Sequence, residues 1–316
     1  MRPGFQTWPQ SGNRNGAPIA HSVSEASAVL KIQHILFPID FSERCCSAVP
    51  FVESMASRNR AMITLLGVAQ PFYYAAMGDP GGALVIDTEE LLRDLQAKVD
   101  SSLTREFAGH CVERVAKLGD PPQVITEFAH THGVDLIMMP TYGHGSFRSL
   151  LLGSVAAKVL RDAECRVWTA AHVAEPPCRD HIACRKILCA VDDTSNSVSL
   201  MQRAGEFSKD NGATLRLVHV IPGMEGVPSR QMDREFEEEM RKKAWQTIER
   251  LQESAGIRMP MCVVVGNVAE TVREEARRHE ADLVVIGRGT LQGAFGRLRT
   301  HSYKIIRQSP CPVLSV

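Results

Sequence analysis

The stretch with the clearest chemical potential is Pro140-Thr141-Tyr142-Gly143-His144-Gly145-Ser146-Phe147-Arg148-Ser149-Leu150-Leu151-Leu152-Gly153-Ser154-Val155. Glycines let backbone N–H groups come close to a phosphate. Gly153-Ser154 opens a predicted helix, whose first amides and dipole favour an anion, and Ser154 adds a hydroxyl donor. The same residues also read as a surface loop followed by a serine-capped helix start. A second candidate is Asp40, which ends the apolar run Ile35-Leu36-Phe37-Pro38-Ile39. A buried carboxylate without a partner is expensive, so Asp40 either meets a ligand hydroxyl or water network, or it caps the helix that follows.

Other clusters carry less. Cys178, His181 and Cys184 supply three soft ligands, but a zinc site needs a fourth and firmer spacing, and the segment reads as linker. Cys45-Cys46 sits on a predicted helix without C-x-x-C spacing, which favours a structural role. Tyr142 and His144 border the glycine loop, where exposed loop side chains are the default, and Met138-Met139 reads as core strand. The chain holds no G-x-S-x-G elbow, no Walker A lysine loop and no HExxH. No water-positioning residue or acidic metal pair is evident beside the loop. That favours binding and signalling over turnover.

The elements that must position these residues come as a repeat. His34-Ile35-Leu36-Phe37-Pro38-Ile39-Asp40 returns as Lys186-Ile187-Leu188-Cys189-Ala190-Val191-Asp192, and Leu65-Leu66-Gly67-Val68 as Leu217-Val218-His219-Val220. Gly133-Val134-Asp135-Leu136-Ile137-Met138-Met139 returns as Glu280-Ala281-Asp282-Leu283-Val284-Val285-Ile286, and Cys165-Arg166-Val167-Trp168 as Cys311-Pro312-Val313-Leu314. The period is far longer than a solenoid unit, so each copy is a whole domain. The expected organisation is a disordered leader over 1–30, a first domain over 31–173, a linker over 174–185 with Pro176-Pro177, and a second domain over 186–316.

Within copy one, continuously apolar strands alternate with amphipathic helices. Ala48, Val49, Val52, Met55 and Ala56 share one helix face, and Leu92, Leu95, Val99 and Leu103 form the stripe of a second. Asp87 with Glu90 has capping-box spacing, and Asp120-Pro121 can start a third helix that Gly133 ends. In copy two, Asn267 and Glu270 cap the corresponding helix. This alternation predicts an α/β fold: two tandem, doubly wound, open parallel sheets of five strands each. Ligands in such sheets bind beyond the carboxyl ends of the strands, where the order reverses. The glycine loop is expected there, which favours the phosphate reading.

At this point the residues resemble the universal stress protein family, whose ATP-binding members carry G-x2-G-x9-G-[S/T] after strand four. Gly143, nine intervening residues and Gly153-Ser154 match in register, while Pro140 stands where the first glycine is expected and removes one backbone N–H. The resemblance covers nearly the whole chain after Val29. It implies a Rossmann-like fold and an adenine-nucleotide site of Pro38, Asp40, Val68, Pro140, Gly143, Gly153, Ser154 and Val155. It also implies ATP, with or without Mg2+, as ligand, and a role in stress response through nucleotide-dependent partner interactions. The alternatives are a slow adenine-nucleotide hydrolase or transferase on the same fold, and a structural pseudo-dimer that binds nothing. In copy two, Thr290 replaces the second glycine and Thr300-His301 the Gly-Ser pair, so its phosphate motif is degenerate and a structural or regulatory role is expected. Arg297, Arg299, Lys304 and Arg307 there read as a solvated cationic face.

Family members usually pair through the edge strand at the end of the domain. The matching strands, Arg166 to Ala170 and Pro312 to Val316, are expected to cover each other within one chain, leaving other surfaces for a whole-chain homodimer. Bulk composition agrees. The 316 residues suit two cores, and 36 basic residues balance 36 acidic ones, which offers no long-range field for nucleic acid or an anionic membrane. Nine scattered cysteines argue for reduced thiols, and no apolar run reaches transmembrane length. A cytoplasmic location is the expectation.

Overall fold

The computed structural model describes residues 32–71, 87–141, 152–170, 182, 184–223, 234–288 and 300–316. The first half contains strands β1 (His34–Ile39), β2 (Met62–Ala69), β3 (Val112–Leu118), β4 (Leu136–Met139) and β5 (Arg166–Thr169). Its helices are α1 (Glu43–Asn59), α2 (Thr88–Ser101), α3 (Pro121–Thr131) and α4 (Ser154–Asp162). The second half repeats the plan with β6 (Lys186–Val191), β7 (Thr214–Pro222), β8 (Met261–Gly266), β9 (Leu283–Ile286) and β10 (Val313–Ser315). Its helices are α5 (Asn196–Asp210), α6 (Arg234–Ala255), α7 (Val268–Arg278) and α8 (Thr300–Gln308).

Each half is a parallel five-stranded sheet, in the order β3-β2-β1-β4-β5 and its mirror β10-β9-β6-β7-β8. The order reverses between β1 and β4, and again between β6 and β9, so two crevices open beyond the carboxyl ends of those strands. β5 and β10 pair antiparallel, with Val313 opposite Thr169, Leu314 opposite Trp168 and Ser315 opposite Val167. The final strands thus join as expected, and the result is one continuous ten-stranded sheet. The pairing removes two apolar edges that would otherwise face solvent.

Alternation along the strands sorts the core into two layers. Ile35, Phe37, Ile39 and Leu65 face α1 and α2, and they are continuous with Cys189, Leu217 and the inner faces of α5 and α6. Leu36 and Leu66 face the opposite layer, built on α3, α4, α7 and α8. All six residues of β1 are buried, as a continuously apolar central strand requires.

A small device recurs in both halves. Asp135, just before β4, accepts Gln33 N–H at 2.7 Å and His34 N–H at 3.0 Å through Oδ2. Asp282, just before β9, accepts Arg185 N–H at 2.8 Å and Lys186 N–H at 2.9 Å in the same way. Each carboxylate fixes the start of the central strand against its neighbour, so the register at the far end, where the crevice lies, is set from the near end.

The joint between halves has further ties. Arg288, buried after β9, donates to the carbonyls of Ala163 at 2.7 Å, Glu164 at 3.3 Å and Cys165 at 2.6 Å. A cation there suits the carbonyl-rich end of α4. Tyr303 Oη on α8 donates to Ala157 O on α4 at 3.0 Å. Trp168, 1% exposed, packs its ring 5.0 Å from that of Phe51.

Three local expectations need correction. Asp120 occupies the N-cap of α3 but makes no capping bond. Its carboxylate instead accepts from Gln70 Nε2 at 3.0 Å and lies 3.7 Å from Lys158 Nζ. Pro121 at the first helical position has no N–H to cap, which lowers the demand for one. The stripe on α2 loses Leu92, which is exposed, while Leu95 and Val99 are buried and Leu103, past the helix end with a left-handed backbone (φ 53°), still packs against the core. Cys184, placed in the linker by composition, is 5% exposed and belongs to the core.

Candidate functional site

The crevice of the first half begins at the end of β1. Pro38 is buried in the strand opposite Leu66, and Ile39 lies opposite Gly67. The chain then turns through Asp40 and Phe41, whose φ of 61° is a left-handed conformation unusual for an aromatic residue, and Phe41 is 43% exposed. Asp40 Oδ1 accepts the N–H of Ser42 at 3.0 Å and its hydroxyl at 2.6 Å. Ser42 in turn caps α1, accepting Cys45 N–H at 3.1 Å. One carboxylate oxygen of Asp40 is therefore committed to the turn that leads into α1, while the helix cap itself is Ser42 and not Asp40.

Val68, partly buried, closes the end of β2. Pro140 and Thr141 follow β4, and Thr141 O accepts Gly153 N–H at 2.8 Å. That bond brings the start of α4 back to the end of β4. Gly153 is the N-cap, with extended ψ of 145°, and no side chain caps it. Ser154 is exposed and Val155 partly buried. Pro38, Asp40, Val68, Pro140, Gly153, Ser154 and Val155 thus share the carboxyl-end rim of β1, β2 and β4. Gly143, Tyr142 and His144 lie outside the described residues, as does the segment between β2 and α2 over 72–86.

The second half presents a different rim. Asp192 Oδ1 accepts Thr194 N–H at 3.1 Å, the Thr194 hydroxyl at 2.5 Å and the Ser197 hydroxyl at 2.9 Å. Behind it lies a cavity of about 530 Å³, bounded by the ends of β6, β7 and β9, the first turns of α5 and α8, and one face of α6. Its volume is in the range of small-molecule sites. His219 and His301 are both on its wall. Sequence reasoning assigned this half a structural part and overlooked the cavity. The available signal was the replacement of Gly67 by His219 within the apolar run Leu217 to Ile221.

Thiol chemistry has little footing. Burial pushes Cys45, Cys189 and Cys311 up to about 12. Burial and then the neighbouring Glu275 raise Cys262 to about 11, and burial raises Cys184 to about 11. Such thiols stay protonated and inert. Cys178 and His181 lie outside the described residues, and among the described residues no cluster of His, Cys, Asp and Glu could hold a metal. No described helix is long and apolar enough to cross a membrane.

The model of the universal stress protein family matches residues 31–170 and again 183–316. The chain belongs to the universal stress protein family. Among characterised members, a universal stress protein of Methanocaldococcus jannaschii is 27% identical over 143 residues, covering 40% of this chain and 87% of that one. One from Thermus aquaticus is 31% identical over 142 residues, covering 42% of this chain and 98% of that one. A solved universal stress protein from Archaeoglobus fulgidus superposes with a TM-score of 0.67 at 18% identity, covering 90% of this chain and 98% of that one. That likeness extends the shared fold to the tandem arrangement. The family's Rossmann-like architecture is the one seen in each half here.

Proposed function

We propose that this universal stress protein binds ATP or a related adenine nucleotide in its first half and acts in the stress response by changing its partner associations when the nucleotide is bound. The observation that carries the reading is the uncapped start of α4, tied by Gly153 N–H to Thr141 O at the switch point. First-turn amides there, with the Ser154 hydroxyl, suit phosphate oxygens. Pro38 and Val68 supply apolar surface for a base, and Asp40 is positioned for a ribose hydroxyl. The residues present fit such a ligand, and Pro140 subtracts one amide donor from the usual set.

Binding without rapid turnover follows from the same residues. General-base catalysis needs a group within hydrogen-bond reach of the attacking water. Asp40, the carboxylate of this rim, spends one oxygen on the Ser42 turn. A slow hydrolase or transferase is the competing reading. The site is tested by calorimetric titration of ATP into the parent chain and Gly153→Asp, which sets a carboxylate where phosphate belongs. Affinity falls at least about tenfold in the variant. Equal affinity in a folded variant rejects the site. Steady phosphate release that disappears on changing Asp40 decides for the enzyme. We place the protein in the cytoplasm on the basis of its free thiols, half of which, among the described cysteines, are buried.

A further inference from the structure

We propose that the second half carries a binding site of its own, for an uncharged, largely apolar small molecule bearing one N–H or O–H donor, which His219 receives. The cavity of about 530 Å³ provides the volume. Its walls are Leu200, Val218, Val220, Val272, Ile286 and Ile305. Apolar surface of this kind, in a half-open cleft at a topological switch point, is the usual setting for an organic ligand.

His219 supplies the polar group. It is 7% exposed and lies on the cavity wall. Its Nδ1 sits 3.0 Å from Val191 O. A carbonyl only accepts, so Nδ1 carries the proton, and in the neutral ring Nε2 is a bare acceptor. Nε2 has no partner among the described residues. Solvent reaches Nε2 through the cavity, so a ligand N–H or O–H placed there exchanges one hydrogen bond for another while its apolar body is buried.

The comparison with the first half shows how the cavity arises. His219 stands opposite Val191 in the register that Gly67 holds opposite Ile39. At Gly67 a β-carbon would lie 2.5 Å from Val99 Cγ2 and 3.4 Å from Leu95 Cδ1, so α2 closes directly onto β2. In the second half the imidazole occupies that position, and the facing helix α6 contributes Met240, Ala244 and Thr247 to a wall rather than to a seal.

Charge argues against a nucleoside triphosphate in this cavity. Asp192 and Asp193 both line it, and Asp193 stands where the first half has Phe41. The ammonium of Lys243 is drawn to Glu239 at 2.7 Å. His301 replaces Ser154 at the start of the helix, and Thr300 replaces Gly153. Asp192 has its counterpart in Asp40, so the added negative charge of this half is Asp193; with no Gly-Ser helix start to receive phosphate, that charge disfavours a polyanion, while an uncharged ligand meets no such penalty.

The test titrates the full chain into N-phenyl-1-naphthylamine, a neutral, apolar fluorophore with one N–H donor. Saturable, blue-shifted emission with one probe per chain is expected. Ala244→Trp, which fills the cavity from α6, abolishes it. His219→Leu keeps the shape, removes the acceptor and weakens binding about fivefold. Saturating ATP leaves the signal in place. Absence of saturable binding, or parent-like binding in both folded variants, overturns the site. Displacement of the probe by ATP overturns the ligand class and makes the second half a nucleotide site. Loss in Ala244→Trp with no change in His219→Leu overturns the hydrogen bond.

Discussion

The two halves share strand order, register and the carboxylate that pins each central strand, yet they differ at the end of their second strand. In the first half Gly67 lets α2 pack against the sheet, and the neighbouring rim is left with an uncapped helix start at Gly153. In the second half His219 replaces that glycine, a cavity lies behind it, and the helix start reads Thr300-His301. The repeat therefore shares what folds the domain and differs at the two candidate sites. One position, a glycine or a histidine, sets how closely the helix after the second strand approaches the sheet.

The sharpest way to break this comparison is to exchange the two residues. Gly67→His forces a side chain into space already held by Val99, and a loss of about 3 kcal/mol is expected from urea unfolding. The reverse change, His219→Gly, removes one hydrogen bond to Val191 O and enlarges an existing cavity, at about 1 kcal/mol. Equal losses would contradict the packing difference between the halves.

What the halves share can be tested next. Asp135→Ala and Asp282→Ala each strip two backbone N–H groups of a charged acceptor, and each is expected to cost about 2 kcal/mol. The two values should agree within about 0.5 kcal/mol, because the geometry is the same. A large difference between them would show that the repeat is not energetically symmetric.

Most of the architecture was legible because it rests on periodicity. Continuous apolar runs such as Ile35 to Ile39 admit only a buried strand, and the repeated Asp at strand ends marked both switch points. The pairing of β5 with β10 followed from the family resemblance, supported by two apolar strands that each needed a cover. Legibility failed where a tertiary partner competes with a local rule. Asp120 has the identity of a cap but is drawn to Gln70 and Lys158, which no sequence spacing reveals. Cys184 looks like linker because its burial depends on α1 and the opposite half. The second-half cavity was missed because loop glycines dominated the reading, whereas the change that matters is a single side chain in the middle of an apolar pattern. The candidate site of the first half was legible as a motif with one departure, Pro140.

A smaller difference concerns thiols. The exposed ones among the described residues, Cys46 and Cys111, belong to the first half, while Cys189 and Cys311 of the second are pushed up to about 12 by burial. A thiol of that kind is ionised in about one molecule in ten thousand at pH 8. Native protein treated with a disulfide reagent at pH 8 should label at Cys46 and Cys111 and leave Cys189 and Cys311 unmodified until denaturant is added, as read by peptide mass mapping. Raising the pH brings no reaction at the buried pair before their ionisation range is reached. Labelling of Cys189 in the native state would mean that the second half opens.

The central claim is that the nucleotide site survives in one half only. Equilibrium dialysis of labelled ATP against the full chain counts bound nucleotide directly. The account predicts one ATP per chain at saturation, lost in Gly153→Asp and retained in His219→Leu. Two ATP per chain, or one that persists in Gly153→Asp and vanishes in His219→Leu, would contradict it.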